Sequence, residues 1–173
     1  MIQPKSSPSK IAIMGNPGIP EALNVAGEVG QFLNELGVEA RVGSLYDAAF
    51  REAVGQKKFD LVIALGGDGT MLKAGHVCAP ADVPLLGINI GHFGFLVELN
   101  RKEWRKAMPR LLEGDFRYEQ RMMLKAHCVK DGEERSISDV INDVVVARGQ
   151  YVRPIQVEAF LDGSFIAGYV ADG

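Results

Sequence analysis

Apolar residues gather along the first two thirds of this chain in short runs, at residues 11–14, 61–65 and, interrupted by Asn89, 84–90, separated by stretches where they recur every three or four positions. Continuous runs of this length suit strands covered on both faces, as in a parallel sheet. The three- and four-residue steps suit helices. Leu23, Ala26, Val29, Leu33 and Leu36 fall on one face of a helix expected from Pro20 to Gly37, with Pro20 in its first turn. Residues 38–42 offer another short strand and 71–78 another helix. Residues 101–112 place Trp104, Met108, Leu111 and Leu112 on one helical face, with Pro109 leaving the last turn open. Strands alternating with helices predict an α/β fold with a doubly wound, mostly parallel sheet.

After Tyr118 the period changes to that of strands alone, expected at residues 122–129, 137–148, 155–161 and 165–171. Asp131-Gly132 and Asp162-Gly163 are dipeptides that reverse hairpins. The expected organisation is an α/β domain over residues 1–115 and an all-β segment over 116–173, with the boundary near 114–118.

Composition narrows the function classes. Among 173 residues, 22 acids exceed 19 lysines and arginines, for a formal net charge of -3. That balance argues against a broad nucleic-acid-binding face and leaves room only for a local basic pocket. Two cysteines fifty positions apart give neither a disulfide framework nor a zinc site, and the three histidines form no HExxH pattern. No stretch approaches the ~18 apolar residues of a membrane span, and residues 1–9 lack the apolar run of a signal peptide. The expectation is a cytoplasmic protein with no membrane partner. Glycine, at 20 residues, well exceeds the roughly 7% of an average protein and points to tight turns or close backbone–ligand approaches.

The glycines concentrate where chemistry is expected. Gly66-Gly67-Asp68-Gly69-Thr70 follows the strand at 61–65 and opens the next helix. In an open parallel sheet, ligands bind beyond the carboxyl ends of the strands. Glycines let the backbone approach a phosphate, and the helix N-terminus supplies N–H groups and a positive dipole end. A carboxylate beside phosphates needs a divalent ion to offset it, or else is placed to take a proton from an attacking hydroxyl. The plainer alternative is a turn in which Asp68 or Thr70 caps the helix. The loop is neither a Walker A sequence nor the Gly-x-Gly-x-x-Gly fingerprint. A second glycine loop, residues 87–96, brings His92, Phe93 and Phe95 between and beside Gly91 and Gly94, ring surface able to sandwich a nucleobase or simply to fill a core. Asn142-Asp143 interrupts an apolar run, either as a local bulge or as an amide and carboxylate gripping a ribose diol.

Those motifs, together with Tyr169-Val170-Ala171-Asp172-Gly173, resemble in identity and order the signature of NAD kinases, over residues 11–173. The resemblance implies transfer of a phosphoryl group from ATP or polyphosphate to the 2′-hydroxyl of the adenosine ribose of NAD, giving NADP. It implies Asp68 as catalytic base and Gly66, Gly67, Gly69 and Thr70 as the phosphate loop. It implies NAD contacts at Asp68, Gly69, Lys73, His92, Phe93, Phe95, Asn142, Asp143, Arg153, Val170 and Asp172. A divalent metal ion, magnesium first, is implied with no protein ligand assigned to it, as is a homo-oligomer, dimer or tetramer, formed through the β segment. The family's β domain continues beyond the Asp-Gly at which this chain stops, so the expectation is an incomplete all-β domain. Lipid and sphingoid kinases share the Gly-Gly-Asp-Gly loop but typically carry Asn-Glu two residues after the threonine, where this chain has Leu72-Lys73. A nucleotide-binding module without turnover is the remaining alternative.

Overall fold

The computed structural model describes residues 7–91, 96–147 and 154–171, without the side chains of residues 136 and 137. The chain divides into two compact units, Met1–Arg121 and Met122–Gly173.

The first unit runs β1 (Lys10–Gly15), α1 (Pro20–Glu35), β2 (Glu39–Ser44), α2 (Ala48–Gly55), β3 (Leu61–Gly66), α3 (Asp68–Cys78), a single 3-10 turn (Ala79–Ala81), β4 (Leu85–Asn89), β5 (Leu99–Asn100) and α4 (Trp104–Leu112). The strands form one sheet in the order β2-β1-β3-β4-β5, every pair parallel, with Ile11 opposite both Ala40 and Leu61. Side chains of a strand point alternately to opposite faces, so the apolar runs feed two cores. Ile11, Ile13, Leu61, Ile63, Leu65 and Ile88 pack against α1 and α4, whereas Ala12, Met14, Val62 and Ala64 pack against α2 and α3. This is the doubly wound arrangement.

Helix α1 buries Ala22, Val25, Ala26, Val29, Gly30 and Leu33. The expected face is thus displaced by about a quarter-turn at its ends, and Leu23 and Leu36 are partly exposed. Leu23 lies over the end of β1 instead. A Cβ at Gly15 would sit 2.8 Å from Leu23 Cδ2, so the missing side chain lets helix and strand close together. Helix α4 carries Pro109 inside it and still reaches Leu112, held by Trp104, Met108 and Leu111 in the core. At the opposite end of the sheet, Asp60 Oδ2 accepts hydrogen bonds from Ser9 N, Ser9 Oγ and Lys10 N, each 2.9 Å, tying the start of β1 to the start of β3. Among the described residues no helix is long and apolar enough to cross a membrane.

The second unit consists of β6 (Leu124–Lys130), β7 (Glu133–Val140), β8 (Ile155–Leu161) and β9 (Ser164–Ala171). They pair as two separate antiparallel ladders, β6–β7 and β8–β9. Each is closed by an Asp-Gly turn with both residues at positive φ: 55° and 80° at Asp131-Gly132, 49° and 80° at Asp162-Gly163. Such turns match the right-handed twist of the strands they join. The strand expected at 137–148 is corrected: β7 begins earlier, at Glu133, and ends at Val140. Asn142 and Asp143 offer the backbone local side-chain hydrogen bonds that compete with a ladder, and residues 141–147 are without strand pairing.

Candidate functional site

The strand order reverses direction at β1 and β3: the chain moves outward from β1 to β2, then crosses back to β3 and on to β4. Ligands of open α/β sheets bind in the crevice outside the carboxyl ends of the strands at such a point. Here the crevice is lined by Asn16, just past β1, and by Gly66-Gly67-Asp68-Gly69-Thr70 at the junction of β3 and α3.

The two sides are joined at the bottom. Thr70 is buried, and its Oγ1 accepts a hydrogen bond from Asn16 Nδ2 at 2.9 Å. Asn16 Oδ1 in turn accepts from Gly18 N (2.9 Å), which holds the turn after β1. A Cβ at Gly66 would lie 2.2 Å from Thr70 Oγ1, so this glycine is a packing requirement. Gly67 and Gly69 differ. Neither has a positive φ, and among the described residues nothing lies within 4 Å of where their Cβ atoms would be. Gly67 occupies the N-cap position of α3, with φ -105° and ψ -168°, so no side chain folds back over the helix end from there. The helix therefore does not take Asp68 or Thr70 as its N-cap; they stand at its first and third positions.

Asp68 is half-buried, and its Oδ1 accepts from Leu96 N at 3.0 Å. The carboxylate thereby ties the start of α3 to the far end of the second glycine loop. That loop leaves β4 through buried Asn89, whose Oδ1 accepts from Gly91 N (2.9 Å), while Ile90 N donates to Gly66 O (3.3 Å). The two glycine loops are thus hydrogen-bonded to each other. Glu98 Oε2 accepts from Gly87 N at 2.9 Å. Partial burial raises the Glu98 carboxyl above its ordinary range, outweighing the backbone hydrogen bonds and the Arg121 charge that lower it.

Lys73 faces elsewhere. Its Nζ donates to Tyr46 Oη at 2.6 Å and lies 4.9 Å from the centre of the Tyr46 ring. Tyr46 follows β2, on one side of β3, whereas Leu96 follows β4 on the other. Asp68 and Lys73 are five positions apart on α3, about 140° around the helix. The helix therefore shows them to opposite flanks. His92, Phe93, Phe95, Arg153 and Asp172 lie outside the described residues. In the second unit Asn142 and Asp143 are exposed beyond the end of β7, and Val170 is exposed on β9. Asn16, Tyr46 and Arg51 escaped the reading of the sequence; the only cue was Asn16 at the end of the first apolar run. Among the described residues no group of three or more His, Cys, Asp or Glu side chains gathers to cage a metal. A divalent ion here would keep mostly phosphate and water oxygens, as magnesium commonly does, with Asp68 as the carboxylate within the loop.

The pattern of the ATP-NAD kinase N-terminal domain matches residues 11–116, more than half of the chain. The NAD kinase of Heliobacterium modesticaldum is 36% identical over 169 residues, 94% of this chain and 60% of that protein. That of Nitratidesulfovibrio vulgaris is 39% identical over 165 residues, 94% of this chain and 54% of that protein. This chain thus spans a little over half the length of these relatives. A crystal structure of yeast NADH kinase complexed with NADH superposes with a TM-score of 0.76 at 22% identity, covering 99% of this chain and 60% of that one, which shows a shared fold. With the family's N-terminal pattern matched from β1 to beyond α4, and its glycine loop at the turning point of the sheet, this chain belongs to the NAD kinase family.

Proposed function

We propose that the protein to which this chain belongs phosphorylates the 2′-hydroxyl of the adenosine ribose of NAD, with ATP or polyphosphate as donor, to give NADP. The observation that carries the reading is the pair Gly67 and Gly69 around Asp68. Neither backbone strain nor packing among the described residues calls for glycine at these two positions. A phosphate drawn against the backbone does call for it, and the dipole of α3 adds a positive end at the same place.

Asp68 then acts as general base. Its carboxylate takes the proton from the 2′-hydroxyl as the ribose oxygen bonds to the terminal phosphorus and the bond to the leaving phosphate breaks. The Leu96 N–H donates to Oδ1 of that carboxylate and so fixes the orientation of the side chain. A divalent ion, when bound, supplies charge neutralisation on the donor phosphates. Asn142 and Asp143 provide an amide and a carboxylate suited to ribose hydroxyls. His92, Phe93, Phe95, Arg153, Val170 and Asp172 complete the NAD contacts in this reading, on the strength of the sequence resemblance. The same reading includes a cytoplasmic location, where the free thiols of Cys78 and Cys128 stay reduced. It includes self-association too, supported by exposed Phe160, Phe165, Ile166 and Tyr169 in the second unit.

The test is NADP formation by the full-length protein, followed with an NADP-specific dehydrogenase. Asp68→Asn is expected to lower kcat by about 10²–10⁴-fold, the usual contribution of a positioned base, with NAD affinity within a few-fold of the parent. Near-normal turnover in that variant removes Asp68 from the chemistry, and no NADP from the parent protein removes the activity.

A further inference from the structure

On the flank of α3 turned away from Asp68, a cavity of about 180 Å³ opens between the turn after β2, helix α2 and helix α3. Among the described residues its walls are Leu45, Tyr46, Arg51, Lys73 and His76. Two permanent cations, an imidazole and a phenol thus face one hollow in a protein whose net charge is negative. No Asp or Glu is among these walls, and neither Arg51 nor Lys73 takes part in an ion pair among the described residues. The neighbouring acid, Asp47, has its Oδ1 turned back onto Phe50 N (3.0 Å), where it caps α2. Cations placed together without a carboxylate repel one another, and an anion between them relieves that repulsion.

We propose that this cavity is a phosphate-binding site separate from the Asp68 crevice, taking the triphosphate portion of a polyanion. The hydrogen-bonding groups are set for it. Because Lys73 Nζ donates to Tyr46 Oη, the phenol oxygen is already engaged as an acceptor and its own O–H is left to donate to an anion. Arg51 supplies a planar fork matched to two phosphate oxygens. His76 donates from Nδ1 to Leu72 O (2.7 Å), which fixes the ring at the wall of the cavity. The volume selects the class of ligand. Sites that hold a whole drug-sized molecule run to roughly 300–1,000 Å³, so this hollow takes phosphates and leaves a nucleoside outside it. Lys73 lies about 7–8 Å along the helix axis from Asp68 and on another side of it, so phosphate held here is not the group in transit. The site therefore stands whether or not Asp68 is a base. Its phosphates come either from a nucleoside triphosphate or from an inorganic chain, and the experiment separates the two.

The test is calorimetric titration of this chain with sodium tripolyphosphate and, in parallel, with ATP, at low and at moderate salt. In the Gly69→Ala chain, whose methyl group blocks phosphate at the glycine loop, tripolyphosphate is expected to bind at one site, more weakly as salt rises. The double variant Arg51→Met, Lys73→Met is expected to weaken it at least tenfold. Arg51→Lys with Lys73→Arg restores most of the affinity, and Asp68→Asn leaves it unchanged. Circular dichroism melts establish that each variant is folded, as expected for exposed side chains. ATP binding that the double variant weakens equally assigns the site to a nucleotide's phosphates. Tripolyphosphate binding alone so affected assigns it to an inorganic chain. No tripolyphosphate binding at low salt, or binding that the double variant retains, overturns the proposal.

Discussion

Gly69 lines the crevice and Gly87 lies buried inside β4, and a methyl group added to each has opposite consequences. At Gly87 a Cβ would lie 2.7 Å from Met71 Sδ and 3.0 Å from Val97 Cγ1. Methionine yields more easily than backbone, so Gly87→Ala is expected to cost about 1–2 kcal/mol, read as a lower urea midpoint. Gly69 stands in the first turn of α3 with nothing within 4 Å among the described residues. Gly69→Ala should leave stability unchanged or raise it by up to about 1 kcal/mol, because alanine loses less freedom in a helix. Yet NADP formation by the full-length protein should fall at least tenfold, since the methyl occupies the approach of a phosphate. A variant that keeps its activity would show that Gly69 faces no ligand. At this scale the sequence singles out Asp68 and is silent about what surrounds it. Asn16 and Thr70 are 54 positions apart, and Tyr46 and Lys73 are 27 apart, so only the folded sheet brings them together.

Among the elements, β1 and β3 are fastened at their amino ends by Asp60. Partial burial raises that carboxyl, but hydrogen bonds from Ser9 N, Lys10 N and Ser9 Oγ, with the Lys10 charge, outweigh it and hold it below the ordinary carboxylate range. A carboxyl depressed on folding adds stability above its unfolded pKa of roughly 3.9, and that stability is lost as pH falls through the folded value. Asp60→Asn is therefore expected to be less stable by roughly 0.5–1.5 kcal/mol at pH 7, a figure reduced for solvent exposure. The gap to the parent protein should narrow in urea titrations as pH falls below the unfolded value of roughly 3.9. A constant gap would mean that the charge is immaterial to the fastening. Strands β1, β3 and β4 were legible because a strand buried on both faces must be apolar throughout. Helix α2 was not: it has only eight residues, and its buried side chains, Phe50, Ala53 and Val54, amount to barely two turns of periodicity. Strand β5, two residues long, carries no period at all. The polar pair at 142–143 was visible, but whether it bent a strand or ended one depended on a ladder partner that no local pattern reveals.

Taken whole, the molecule combines a five-stranded sheet clothed on both faces with two ladders of two strands each. An isolated two-stranded ladder is marginal in water, and here Val129, Phe160, Phe165, Ile166, Tyr169 and Val170 are more than half exposed. Amide hydrogen exchange on this chain should accordingly find β1 and β3 at least tenfold slower than β6 to β9. Comparable protection throughout would show that the ladders gain stability from contacts beyond their own pairing. The order β2-β1-β3-β4-β5 also bears on how the protein is made. Lys10–Gly15 is flanked on both sides in the finished sheet, and one flank is filled only by Leu61–Gly66. At roughly 5–20 residues per second, some 50 residues of synthesis leave that apolar ribbon with a raw side for several seconds. The nascent chain thus presents a sticky, unfinished seam until β3 emerges, which is the kind of segment that chaperones at the exit tunnel attend to.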